Sequence, residues 1–247
     1  MKFFFFIILL LPLTAFAQRP PIVVYLAGDS TMANKAENKR PETGWGENLP
    51  QYFDEKKVRV ENHAQNGRST KSFIDEGRWQ KIVDALKPGD YVFIQFGHND
   101  QKSEDPKRYG AAGGGYRENL IRFVNDVRAK EANPVLLTPV MRRRFNEKGE
   151  FYDTHGDYPD AVRRVAEELK VPLIDMHRKS AALLIKFGEA ESKKLFLQLA
   201  PNEHPNYPKG VEDNTHFSSF GAEQIARLAV EGIKETKIGL ADLLIKD

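Results

Sequence analysis

Residues 22–30 read IVVYLAGDS, a short apolar run that ends abruptly in Gly28, Asp29 and Ser30. Ile22 to Leu26 is rich in β-branched and aromatic residues and too short for a helix, so it reads as a strand. Similar runs recur at Val58 to Val60, Tyr91 to Phe96, Val135 to Thr138 and Pro172 to Ile174. Between them lie segments with helical spacing: Gly46 to Phe53, Ser72 to Leu86, Tyr116 to Lys130 and Tyr158 to Leu169, with Ser218 to Lys234 closing the chain. Strands alternating with helices predict an α/β fold, a three-layer α/β/α sandwich around a five-stranded parallel sheet. Right-handed crossovers place the helices on both faces.

Outward from that core, the N-terminus has Lys2, an apolar run from Phe3 to Pro12 and the small-residue exit Ala15-Phe16-Ala17. This is the pattern of a secretory signal peptide over residues 1–17, with cleavage before Gln18. A membrane anchor is the alternative, but a spanning helix needs roughly twenty apolar residues. The expected mature protein is secreted or periplasmic, makes no membrane contact after cleavage, and is a monomer. Loss of Lys2 takes the formal charge of +2 to +1, far from the concentrated basic face of a nucleic-acid binder. The chain has no cysteine, so an exported protein of this kind depends on its packed core rather than on disulfides. About 230 residues suffice for one such core. With no Gly/Ser or Pro-rich linker and no repeat, 18–247 reads as a single domain.

Ligands in open parallel sheets bind beyond the carboxyl ends of the strands. Polar, glycine-bearing clusters stand at three of those ends: Gly28-Asp29-Ser30-Thr31, Gln65-Asn66-Gly67-Arg68-Ser69 and Gly97-His98-Asn99-Asp100. Ester hydrolysis needs a nucleophile, a base, a group that orients the base, and donors for the oxyanion. Ser30 offers a hydroxyl at a strand end and its own N–H. Gly67 lets a carbonyl oxygen approach its backbone N–H closely. Asn99 offers an amide that donates without titrating. Asp213-Asn214-Thr215-His216 reads as a polar loop just before the last helix, where a carboxylate three residues back can reach the imidazole.

Each piece has a plain structural alternative. Ser30 also reads as a helix N-cap, Gly67 as a turn glycine beside Asn66, Asn99 as a turn maker beside Asp100, and Asp213 or Ser218 as the cap of the final helix. His98 is a rival base, and Ser69 is the next candidate nucleophile. The G-x-S-x-G elbow of ordinary α/β-hydrolases is absent, because Met32 stands where the second glycine belongs.

Taken together, Gly28-Asp29-Ser30, Gly67, Gly97-His98-Asn99-Asp100 and Asp213-x-x-His216 resemble, in order and spacing, the four blocks of the SGNH (GDSL-type) hydrolases. The segments LAGDSTM (26–32), NGRSTKSF (66–73), FGHND (96–100), TPVMRRRF (138–145) and DNTHF (213–217) look most like those of bacterial rhamnogalacturonan acetylesterases. The resemblance implies a flavodoxin-like SGNH fold. It also implies a catalytic triad of Ser30, Asp213 and His216, an oxyanion hole from Ser30, Gly67 and Asn99, and no metal or organic cofactor. The expected substrate is an acetylated polysaccharide or oligosaccharide of pectic, rhamnogalacturonan type.

Three other readings remain: an acetylesterase for another glycan such as xylan, a lipase or thioesterase of the same fold, and a noncatalytic glycan-binding protein. The polar loops speak against an acyl channel, and five intact positions speak against lost activity. Arg142 to Asp160 has three consecutive arginines among Phe145, Phe151, Tyr152, His155 and Tyr158, a composition suited to uronate carboxylates and sugar faces or, equally, to a solvated loop. Trp45 and Trp79 read as core before groove.

Overall fold

The structure, a computed structural model, describes residues 20–245; the signal-peptide reading of 1–17 lies outside the described residues. Five strands, β1 (Ile22–Gly28), β2 (Val58–Asn62), β3 (Tyr91–Gln95), β4 (Asn133–Leu137) and β5 (Leu173–Ile174), form one sheet in the order β2-β1-β3-β4-β5. All four pairings are parallel. That order is flavodoxin-like, and it reverses beside β1, where β2 and β3 leave on opposite sides.

The period of two along each strand divides the core. Val24, Leu26, Phe93, Val135 and Leu137 face one layer; Val23, Tyr25, Ala27, Val92, Ile94 and Leu136 face the other. The second layer is built by α1 (Thr70–Asp75), α2 (Arg78–Ala85), α3 (Gly115–Arg128) and α4 (Tyr158–Glu168), through Phe73, Trp79, Ile82, Phe123 and Val162. The first is covered by α5 (Met176–Glu191) and α6 (Ser219–Thr236), with Trp45 and Leu49. Helix α6 shows why the layer holds. Ala222, Ile225, Ala226, Ala229, Val230 and Ile233 make one buried stripe, and each large side chain so buried contributes roughly 1.5–3 kcal/mol. The Ser218 hydroxyl accepts from the Gly221 N–H at 3.0 Å and starts the helix.

Several expected boundaries move. The helix expected over Ser72 to Leu86 is two helices, because Gly77 sits at φ +68° between them. The segment Gly46 to Phe53 is two 3₁₀ turns, Trp45–Glu47 and Leu49–Tyr52, with Pro50 unable to donate the N–H a continuous helix requires. Helix α5 was not expected at all. It buries only Met176, Ser180 and Leu184, while its apolar stretch leaves Ile185 63% exposed, so no clean stripe marks it. A two-stranded antiparallel hairpin, β6 (Phe196–Leu199) and β7 (Val211–Phe217), was also unexpected.

Candidate active site

The turn after β1 presents Ser30. The Asp29 carboxylate accepts from the Thr31 N–H at 2.9 Å and the Thr31 hydroxyl at 2.8 Å, and the Asp29 carbonyl accepts from the N–H groups of Met32 at 3.2 Å and Ala33 at 3.0 Å. The chain therefore curls in a single turn around Ser30. Gly28 makes this possible, since a Cβ there would lie 2.9 Å from the Gln95 carbonyl oxygen. The Ser30 N–H donates to no acceptor among the described residues.

Opposite stands the pair Asp213 and His216, and here the expected setting is corrected: both lie within β7 rather than in a loop before the final helix. Phe196 pairs with Phe217 and Gln198 with Glu212, so Leu197 alone opposes the four residues 213–216, which bulge from the ladder. The bulge turns Asp213 back on its own strand. One carboxylate oxygen accepts from the N–H groups of Thr215 at 2.7 Å and His216 at 3.0 Å, and the other lies 2.7 Å from His216 Nδ1. Burial pushes the Asp213 carboxyl up, but the hydrogen bond and charge of His216 and the two backbone N–H groups outweigh it and hold Asp213 at about 2. A carboxylate only accepts, so the hydrogen of His216 sits on Nδ1 and the Nε2 lone pair is free. Nε2 lies 2.9 Å from Ser30 Oγ.

The other expected donors come from the ends of β2 and β3. Gly67 has φ +76°, a left-handed conformation that favours glycine, and its N–H also donates to no acceptor among the described residues. Asn99 is 4% exposed and its amide is oriented by donating to the Arg68 carbonyl at 3.0 Å. One residue missed by sequence reasoning ties these loops together. The ammonium of Lys35, a buried side chain, donates to the Ser30 carbonyl at 2.5 Å, to Asn66 Oδ1 at 2.9 Å and to Glu42 at 2.7 Å. Lys35 thus links the turn that holds Ser30 to the residue before Gly67. A lone lysine in a polar segment gives no local signal of such a role.

His98 is placed differently. Its Nδ1 donates to Asp29 at 3.2 Å, while Nε2 faces His155 Nε2 at 3.4 Å. Burial lowers its pKa more than the neighbouring Asp29 raises it, so the imidazole is neutral near pH 7. Asp29 in turn is pushed up by burial but held at about 2 by the charge and hydrogen bond of His98 and by Thr31. Ser69 is fully buried and caps α1, accepting from the Ser72 N–H at 3.2 Å. Asp100 accepts from the Thr70 N–H at 2.9 Å and hydroxyl at 2.5 Å through one oxygen, whereas the other is buried without a partner. Burial, opposed by Thr70, raises Asp100 to about 7.

Asp153, His155 and His177 each bring one potential metal-ligand atom within 4.8 Å of the others. Arg163 Nη2, however, lies 3.3 Å from His177 Nδ1, and a guanidinium only donates. The hydrogen of His177 is thereby placed on Nε2, which lies 3.1 Å from an Asp153 oxygen without making a hydrogen bond to it, and no lone pair is left there for a cation. Asp153 accepts from His155 Nδ1 at 3.0 Å, and Arg163 of α4 ties to His177 of α5. The stretch 142–158 also separates into distinct roles. Phe145 and Phe151 stack on each other at 5.6 Å, and Tyr158 is tied to the Asp100 and Gly110 carbonyls. Arg143 is held by Ser192, Glu189 and Asn214 of the 213–216 bulge, Arg144 is exposed, and Arg142 reaches the loop of Asn99, donating to the His98 carbonyl at 3.3 Å. Trp45 and Trp79 are fully buried core residues.

Comparison with known proteins identifies a family. Residues 26–223 match the model of the GDSL-like lipase/acylhydrolase family. The rhamnogalacturonan acetylesterase RhgT of Bacillus subtilis (strain 168) is 48% identical over 227 residues, which cover 92% of this chain and 96% of the relative. The probable rhamnogalacturonan acetylesterase YesY of the same organism is 37% identical, covering 91% of this chain and 98% of the relative. Among solved structures, the crystal structure of Bacillus subtilis YxiM superposes with a TM-score of 0.74 at 28% identity, covering 89% of this chain and 58% of that one.

Proposed function

The chain belongs to the GDSL-like lipase/acylhydrolase family, and from that premise we propose that it is a secreted serine acetylesterase removing O-acetyl groups from rhamnogalacturonan. In this reading Ser30 is the nucleophile, His216 the base and Asp213 the group that orients it. Residues 1–17 serve as the export signal and 18–247 as the esterase domain. The observation that carries the reading is the unbroken run from Asp213 through His216 to Ser30, with contacts of 2.7 and 2.9 Å.

His216 Nε2 takes the proton of the Ser30 hydroxyl as Oγ bonds to the acetyl carbonyl carbon. The carbonyl oxygen becomes an anion held by the N–H groups of Ser30 and Gly67 and the amide of Asn99. Asp213 stays ionised and stabilises the imidazolium. Collapse breaks the bond to the sugar oxygen, which leaves with the proton from His216. Water then gives a proton to His216 as it attacks the acetyl-enzyme, and acetate departs as Ser30 recovers its hydrogen. The substrate part rests on the likeness to RhgT and YesY over nearly the whole chain.

Acetate release from acetylated rhamnogalacturonan, homogalacturonan and xylan tests the reading, with the Ser30→Ala protein as control. Fastest release from rhamnogalacturonan, abolished by the substitution, is expected. Preference for xylan would overturn the substrate, and undiminished release by Ser30→Ala would overturn the nucleophile.

A further inference from the structure

Three cations crowd the loop that carries Asn99. Arg108 Nη1 lies 3.4 Å from Asn99 Oδ1, and 3.9 Å from the point that a Cβ on Gly67 would occupy. Its guanidinium therefore borders two of the three expected oxyanion donors. Arg142 reaches the same loop from the other side, through the His98 carbonyl at 3.3 Å and the Thr154 hydroxyl at 3.3 Å. Lys102 begins one turn beyond Asn99, its N–H bonded to the Asn99 carbonyl at 3.3 Å.

Their charges are poorly answered. Several other half-buried cations have carboxylate partners, Lys35 with Glu42, Arg40 with Glu47, and Arg163 with Asp160 and Asp175, while Arg143 is satisfied by three neutral acceptors, Ser192, Asn214 and the Glu189 carbonyl. Of the three cations near Asn99, only Arg108 has a carboxylate partner, Asp105 at 2.5 Å. Among the described residues, Arg142 has no carboxylate within 4.0 Å, Asp29 and Asp153 acting on it from farther away, and the Lys102 ammonium has neither an ion pair nor a hydrogen bond. Both arginines act on Lys102. Burial lowers the pKa of Lys102, and the charges of Arg108 and Arg142 lower it further, with Glu104 and Asp105 acting the other way. Partly desolvated cations that repel each other beside a site raise the free energy of the empty protein, and an anion among them relieves it.

Resting on the pectic reading above, we infer that Lys102, Arg108 and Arg142 form a carboxylate subsite that holds a uronic acid residue of the chain while an acetyl ester lies against Ser30. A neutral backbone such as xylan has nothing to offer these three groups. Uronate binding would therefore separate pectic from neutral glycans by charge, and it requires no apolar pocket.

The test compares kcat/KM on acetylated rhamnogalacturonan oligosaccharides with that on the same oligosaccharides after reduction of their uronate carboxylates to alcohols. The wild-type protein is expected to prefer the charged form by about ten- to a hundredfold, the range of one or two charge-assisted hydrogen bonds, and to lose part of that preference in 0.5 M salt. Arg142→Gln and Lys102→Gln should each shrink the ratio severalfold, and together bring it near one. Lys102→Gln removes no bond that the fold uses, so the test survives if Arg142→Gln fails to fold. Equal rates on charged and reduced substrates, or a ratio untouched by both substitutions, would overturn the subsite and leave the pectic reading standing. Faster release from xylan than from either form would overturn both.

Discussion

Two aspartate–histidine pairs stand side by side at the carboxyl end of the sheet, built from the same atoms and set to different work. In Asp213–His216 the side chains are 27% and 28% exposed, and the free imidazole nitrogen meets Ser30 Oγ at 2.9 Å. In Asp29–His98 they are 0% and 4% exposed, and the corresponding nitrogen meets another imidazole, that of His155, at 3.4 Å. Both carboxylates are held at about 2 by their histidines. The pair itself therefore does not make a base. In the proposed mechanism, what the second nitrogen faces decides whether the imidazole moves a proton or props up the turn that carries the nucleophile. Asp100 supplies the contrast, a buried carboxylate with no histidine, and it is raised to about 7.

The comparison breaks first at His216. His216→Ala should lower kcat on 4-nitrophenyl acetate by roughly 10⁴-fold or more and leave the melting temperature close to that of the wild type. A loss below tenfold would mean that another group takes the proton. His98→Ala should do the opposite, costing about 1.5–3 kcal/mol of stability because one buried Asp29 oxygen loses its donor while Thr31 still holds the other. Urea denaturation measures this, and an unchanged midpoint would remove the supporting role assigned to the buried pair. Asn99→Ala should lower turnover by about 10²–10³ with KM little changed, the signature of a donor used mainly in the transition state. An effect confined to KM would place Asn99 in ground-state binding instead.

How far these assignments were legible in the sequence differs by region. The sheet was legible because β1, β3 and β4 are short apolar runs with turn residues after them, and no long-range contact is needed to see that. Ser30, Gly67 and Asn99 were marked by their positions at strand ends, where a parallel sheet gathers its loops. His216 was marked by its spacing from Asp213, but not its setting, since the bulge depends on β6, a four-residue strand whose pairing involves residues distant in sequence. Lys35 and the contact between His98 and His155 were illegible for the same reason: each is made by residues tens of positions apart, with no periodicity to announce it. Among the three arginines 142–144, sequence could not choose, because neighbours in an irregular segment point in directions set only by packing.

The smallest expected effect sharpens the contrast with Asp100. Its carboxyl, raised from an ordinary 3.8 to about 7, holds a proton in the folded protein that the unfolded chain has already released at neutral pH. That contribution to stability is complete below the unfolded value and is lost as pH rises through about 7. Linkage puts the loss at about 1.4 kcal/mol between pH 6 and pH 8. Asp100→Asn should flatten this part of the stability curve, and parallel curves for the two proteins would show that Asp100 is not a protonated buried group.

The central claim is that Ser30, and not another hydroxyl, is driven onto the ester by His216. A serine-directed fluorophosphonate, followed by digestion and mass spectrometry, reads this directly. The predicted result is one adduct, on the peptide containing Ser30, formed far more slowly in His216→Ala and at near wild-type rate in any His98→Ala protein that remains folded. An adduct on Ser69, or labelling of Ser30 that is as fast without His216 as with it, would contradict the account.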